Sequence, residues 1–275
     1  METLIRRPAV AGMFYPGSPS ELARDVQALL QSVAPRAVRE TAPKAIVAPH
    51  AGYVYSGPIA ASIYARIAPA AARIRRVVLL GPTHRVAVDG LALPAATHFA
   101  TPLGDIEIDR DAAAMLADLP QVIVADTPHL QEHSLEVQLP FLQTLLPQFR
   151  LLPLAVGRAS AESVAQVIER LWGGDETLIV VSSDLSHYLP YAAAREIDRG
   201  TARRVLAGDP SISHDEACGA TPLNGLLLAA RRHGLQAEMV DLRNSGDTAG
   251  DRDRVVGYGG FAFYPAEAGG SPHVH

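Results

Sequence analysis

Four short apolar runs, each ended abruptly by proline, glycine or serine, constrain this chain more than any other feature. Ala45-Ile46-Val47-Ala48 stops at Pro49, and Val77-Val78-Leu79-Leu80 stops at Gly81-Pro82. The run 151–156 stops at Gly157, and Leu178-Ile179-Val180-Val181 stops at Ser182-Ser183-Asp184. A strand with one wet face alternates apolar and polar residues. Runs without that alternation fit strands covered on both faces, as in parallel α/β sheets. Apolar residues recur at helical spacing over 19–33, 59–67, 111–119, 135–146, 161–172, 193–206 and 222–233. The first of these opens on Ser18-Pro19-Ser20-Glu21, which has the form of a capping box. The segment 255–263 reads as a late strand whose Gly257, Gly259 and Gly260 fit close backbone approach.

This alternation predicts an α/β fold: a single large domain over 1–265 with a central mostly parallel or mixed sheet flanked by helices. The glycine-bearing stretch 266–275 reads as a flexible tail. Composition agrees with a packed core. Apolar residues make up 48% and charged residues 19%, which excludes an unfolded chain. The balance of 24 basic against 29 acidic side chains argues against wrapping nucleic acid, which needs clustered cations. Cys218 is the one cysteine, so no intrachain disulfide can form. The opening residues carry no apolar run like a signal peptide, and no stretch has the length of a membrane span. The expectation is a cytoplasmic protein with no nucleic-acid or membrane partner.

In open α/β sheets, ligands bind beyond the carboxyl ends of the strands, so the residues that follow each run matter most. Pro49-His50 follows the first, Thr83-His84 the second, and Asp184-Leu185-Ser186-His187 the fourth. Imidazole is both the commonest metal ligand at neutral pH and the commonest general base. Each histidine taken singly also fits a strand-end cap bonded to its neighbours. Gln131-Glu132-His133-Ser134 stands at the start of the helix predicted over 135–146, where the helix dipole disfavours a charged imidazolium at His133. Cys218 precedes the helix that Pro222 can begin, as a ligand or nucleophile or as a small buried residue. His98, His129 and His214 lie in polar loop sequence without strand context, and most of them read as solvated. No Gly-x-Ser-x-Gly elbow, phosphate loop or dinucleotide fingerprint is present.

Several segments together resemble one family. Arg7-Pro8-Ala9-Val10-Ala11-Gly12-Met13-Phe14-Tyr15-Pro16, Ala48-Pro49-His50-Ala51-Gly52-Tyr53 and Leu80-Gly81-Pro82-Thr83-His84 are similar to motifs of the Memo family. So are Glu132-His133-Ser134-Leu135-Glu136, Ser182-Ser183-Asp184-Leu185-Ser186-His187-Tyr188, Ala217-Cys218-Gly219 and Val255-Val256-Gly257-Tyr258-Gly259. Bacterial members of that family are called AmmeMemoRadiSam system protein B.

The resemblance implies a fold like that of the class III extradiol dioxygenases, with His50, His84 and Cys218 as metal ligands where those enzymes use two histidines and a carboxylate. It implies His187 as the acid/base histidine, with Asp184 and His133 as further catalytic or pocket residues. It implies an iron or copper ion, with zinc as a further candidate, because a thiolate favours softer metals than a carboxylate does. It also implies, as partners, an AMMECR1-type protein, a radical SAM protein, and a small-molecule or peptide ligand. The expected function is a non-haem iron- or copper-dependent oxidoreductase. The alternatives are a non-catalytic peptide- or protein-binding module in the same pocket and a zinc-dependent hydrolase.

Overall fold

In a computed structural model that describes residues 4–34 and 41–266, one nine-stranded mixed sheet carries the fold. The elements run β1 (Ile5–Arg6), α1 (Pro19–Gln31), β2 (Ala45–Ala48), α2 (Tyr53–Tyr64), β3 (Arg76–Pro82), β4 (Leu91–Leu93), β5 (His98–Thr101), β6 (Gly104–Glu107), α3 (Arg110–Ala114) and β7 (Val122–Val124). They continue as α4 (Thr127–Leu130), α5 (Leu139–Leu145), β8 (Arg150–Val156), α6 (Ala161–Arg170), β9 (Thr177–Ser182), β10 (His187–Leu189), α7 (Tyr191–Ala207), α8 (Ala220–Arg232), β11 (Leu235–Asn244) and β12 (Val255–Pro265). Short 3-10 turns at Ala65–Ala70, Glu136–Gln138 and Ser245–Asp247 link some of them. The tail read over 266–275 lies, apart from Ala266, outside the described residues.

The four apolar runs form the parallel centre of the sheet, in the order β2-β9-β3-β8. Antiparallel β12 and then β11 extend it beyond β2, and β4 with β7 extends it beyond β8. Successive residues of each run serve opposite layers. Ile46, Val77, Leu79 and Val180 pack with α1, α2 and α5, whereas Val47, Val78, Leu80 and Val181 pack with α6, α7 and α8. Apolar side chains are therefore needed at every position of the central strands, not at every second one. A separate three-stranded sheet, β1-β5-β6, sits apart.

Several local readings change. The Ser18 side chain does not cap α1; its hydroxyl meets Ser20 instead, so the capping box is not closed. Helix α2 begins at Tyr53, before the predicted residue 59, and carries Pro58 inside it. The helix predicted over 135–146 is a 3-10 turn followed by the seven-residue α5, so His133 lies in a loop and not at an α-helix start. Strand β11 carries Glu238, Asp241 and Arg243 and gives no apolar run to read.

Gly225 sets how closely α8 lies on α6. A Cβ placed there would stand 2.3 Å from Val164 Cγ1 and 3.2 Å from the Ala165 nitrogen. Helix propensity alone favours alanine over glycine by about 1 kcal/mol, but overpacking of this kind costs about 1–3 kcal/mol. Gly225→Ala is expected to lower stability in urea unfolding, and Val164→Ala in the same chain not to restore it, because the Val164 Cβ that alanine keeps would still stand 2.5 Å from the new one.

Candidate metal centre

Because β2, β3 and β9 are parallel, the segments after all three emerge on one edge of the sheet. His50 follows β2 and is buried; His84 follows β3 and is exposed at the rim. His133 arrives from the loop before the 3-10 turn and is half-buried. Their ring centroids are 5.2 Å (His50–His84), 5.4 Å (His50–His133) and 4.6 Å (His84–His133) apart. One ligand atom from each lies within 4.8 Å of the other two, so the three can hold a metal ion.

The hydrogen bonds fix which nitrogens are free. Ser182 Oγ donates its one proton to the Ser134 carbonyl at 2.6 Å, so it must accept from Gln138 Nε2 and from His50 Nδ1, each at 2.8 Å. His50 is then protonated on Nδ1, and its Nε2 lone pair points outward. The Glu132 carboxylate accepts from His84 Nδ1 at 2.8 Å and from the backbone N–H of His84, His133 and Ser134. His133 Nδ1 lies 3.4 Å from the same carboxylate. This is the histidine–carboxylate pattern that orients metal ligands.

Electrostatics keep two of the rings neutral. Burial, then the nearby His133, His84 and His187, hold His50 well below the ordinary imidazole range. Burial lowers His133 to about 4 against the opposing pull of Glu132. Burial pushes Glu132 up, but the bonds and charge from His84 and the backbone N–H groups outweigh it and hold the carboxyl at about 2. Asp184 is raised to about 7 by burial, although its Oδ1 accepts the His50 N–H at 2.7 Å.

Cys218 Sγ stands 3.3 Å from His50 Nε2 but does not belong to the three-histidine group. Its backbone N–H donates to the Asp184 carbonyl at 3.2 Å. The next residue, Gly219, is pressed against β9, where a Cβ would stand 2.7 Å from the Ser182 carbonyl oxygen. Burial and the Asp184 charge push the thiol up to about 12. His187, at the start of β10, is half-buried, and burial lowers its pKa. Tyr188 beside it holds a left-handed φ of 57°, a costly conformation for a side chain of its size.

Sequence reading missed Glu132, Ser182 and Gln138 as the groups that aim the rings, although Glu132 and Ser182 stand in quoted motifs. One of the histidines set in polar sequence is not solvated, whereas His214 is exposed. His129 is buried, its Nε2 against the Ala92 carbonyl at 3.0 Å, and its pKa falls to about 4 through burial. His214 lines a cavity of about 530 Å³ together with Thr83, His84, Arg158, Cys218 and Thr221. Among the described residues no helix is long and apolar enough to cross a membrane.

Comparison with known proteins places these features in a family. The family model described as "Memo-like protein" matches residues 6–262. A MEMO1 family protein of Methanosarcina barkeri is 38% identical, covering 92% of this chain and 98% of its own. One from Aquifex aeolicus is 37% identical, covering 94% and 99%. One from Archaeoglobus fulgidus is 34% identical over the same shares. The crystal structure of an uncharacterized protein from Escherichia coli K12 matches with a TM-score of 0.49 at 12% identity, over 78% of this chain and 98% of that one. With the family model spanning its sheet, its three-histidine group and Cys218, the chain belongs to the Memo-like protein family.

Proposed function

We propose that the chain is a metal-dependent oxidoreductase that uses iron or copper held by His50, His84 and Cys218. The observation that carries this reading is the donor set: imidazole nitrogens gathered within 4.8 Å, with a thiol 3.3 Å from the innermost one. Nitrogen and sulfur donors suit iron, copper and zinc and are poor for magnesium and calcium. When bound, iron or copper supplies one-electron redox chemistry.

The chain's own residues do the rest. Ser182 and Gln138 hold the His50 ring so that Nε2 faces the site, and Glu132 does the same for His84. His187, its pKa lowered by burial, is ready to accept a proton beside the rim. Asp184, at about 7, can exchange a proton near neutral pH while its Oδ1 fixes the His50 backbone. The cavity of about 530 Å³ on which His84 and Cys218 open has room for a small-molecule substrate. Three imidazoles also suit zinc, the basis of the hydrolase alternative, so metal identity separates the two readings.

The test is elemental analysis of protein made without a histidine tag and purified without oxygen. Iron or copper is expected at up to one per chain; uptake of zinc alone would overturn the redox reading. Glu132→Gln is expected to weaken metal binding about 10–100-fold, since groups that orient ligands commonly contribute that much. The pH dependence has a definite sign. His50 lies well below the ordinary imidazole range, so it does not compete for protons between pH 6 and 8. The thiol, near 12, must release its proton on binding. Copper(I) affinity is then expected to rise about tenfold per pH unit across that window, a slope that Cys218→Ser removes.

A further inference from the structure

We propose that one face of α7, built on Arg195, Arg199 and Arg203, is a docking surface for an acidic helical segment of another protein. The face lies outside the metal centre and does not depend on the reading of that site.

At 3.6 residues per turn, Ala192, Arg195, Arg199, Arg203 and Leu206 fall within an arc of about 80° on one side of the helix. All five are exposed, and Leu206 is 43% exposed although it is apolar. The helix buries another side, through Ala194, Asp198, Thr201, Ala202 and Val205. Arginines four residues apart repel one another and weaken the helix that carries them. Elsewhere on the surface arginine meets acid. Arg170 reaches Asp118 at 2.9 Å, and Arg232 reaches Glu162 at 2.6 Å and Glu169 at 3.0 Å. Arg204, on a different side of α7, reaches Glu216 at 3.2 Å. Among the described residues no carboxylate pairs with Arg195, Arg199 or Arg203, and Glu196 beside them reaches none of the three.

A fourth cation joins the face from the loop before β12. The Tyr191 ring lies under Arg252 at 4.5 Å and under Arg195 at 5.5 Å, and the Tyr191 N–H donates to the Arg252 carbonyl at 3.0 Å. The acids of that loop are already engaged. Asp247 accepts from Tyr191 Oη and the Asn244 N–H, and Asp251 accepts from the N–H groups of Asp253 and Arg254.

Charge complementarity commits the face to an acidic partner, and its spacing commits it to a helix. The three arginines recur about every 6 Å along the axis, the interval at which glutamates four residues apart project from a second helix. Leu206 supplies an apolar contact at one end. A nucleic acid fits less well. Tyr191 and Tyr188 already hold guanidiniums over their rings, Arg254 lying 5.2 Å from Tyr188, where a base would stack. A chain of net charge −5 also repels a long polyanion.

The probe is a labelled, alanine-rich helical peptide of about twenty residues with glutamate at every fourth position and one leucine. It is titrated at low salt into the full chain and followed by fluorescence anisotropy. Saturable binding is expected for the glutamate peptide and not for the same peptide with glutamine. The combined substitution Arg195→Ala, Arg199→Ala and Arg203→Ala is expected to weaken binding about tenfold, since three exposed ion pairs each contribute a few-fold. Arg158→Ala with Arg232→Ala, which removes cations elsewhere, is expected to change it by less than about twofold. The triple variant is expected to unfold at no lower urea concentration than wild type, because it loses like-charge repulsion, so lost binding is not lost folding. Equal binding of the two peptides to wild type, equal weakening in both sets of variants, or no saturable binding would overturn the proposal. So would tighter binding of an oligothymidylate that the triple variant loses, which assigns the face to nucleic acid. A salt-sensitive wild-type dimer that the triple variant loses would likewise overturn it, in favour of a second copy of this chain.

Discussion

The buried stretch from Glu132 to Gln138 is the constraint on which both the sheet edge and the site depend. Two carboxylates in it have no access to water and are satisfied entirely by protein donors. Glu136 accepts from Arg6, from the backbone N–H of Ala9 and Val10, and from Tyr15 Oη at 2.5 Å. Glu132 accepts from three backbone N–H groups and the His84 ring. An isolated buried carboxylate costs several kcal/mol, so these donors cannot be removed one at a time without penalty. Between the two, Ser134 reaches the Pro82 carbonyl at the end of β3, and just beyond them Gln138 reaches Pro49 after β2 and Ser182 at the end of β9. One segment thus ties together the carboxyl ends of three parallel strands.

That coupling explains why the stretch is not the α-helix its leucine spacing suggests. Leu135, Leu139, Leu142 and Leu146 all reach the core, as a helical period demands. Yet the peptide groups of 132–134 turn inward to Glu132 and leave the first turns as loop and 3-10. Satisfying a buried charge outweighs a few tenths of a kcal/mol per residue of helix propensity. The sequence made the apolar stripe legible and hid the carboxylate's demand, because Glu132 and its His84 partner are 48 residues apart.

The same contrast runs through the rest of the molecule. The central strands could be read because burial on both faces writes an unbroken apolar run, and His50 and His84 could be read because they follow those runs directly. Strand β11 could not, because its polar residues sit at a sheet margin and its register comes from pairing with β12. The start of α2 was hidden by Pro58, which usually marks a helix boundary but here lies within the helix. His129 looked like a loop residue in polar sequence, and only tertiary packing, with Arg6 and Phe99 beside it, buries it. Residue type announced the candidate ligands; the groups that aim them are ordinary serine, glutamine and glutamate.

Burial also prepares the site for a cation before one arrives. Three imidazoles with ring centroids about 5 Å apart repel one another when protonated, and that repulsion adds to burial in holding His50 neutral. The lone pairs of His50 and His133 are therefore available near neutral pH. Glu132, ionised down to about 2, supplies a fixed negative charge behind His84 and His133 rather than among the donors. An ion entering the three-histidine group would meet the neutral nitrogens of His50 and His133 in front and a carboxylate behind, an arrangement that attracts a cation while leaving the first contacts to nitrogen. The thiol adds a second negative charge only by giving up a proton that burial holds tightly.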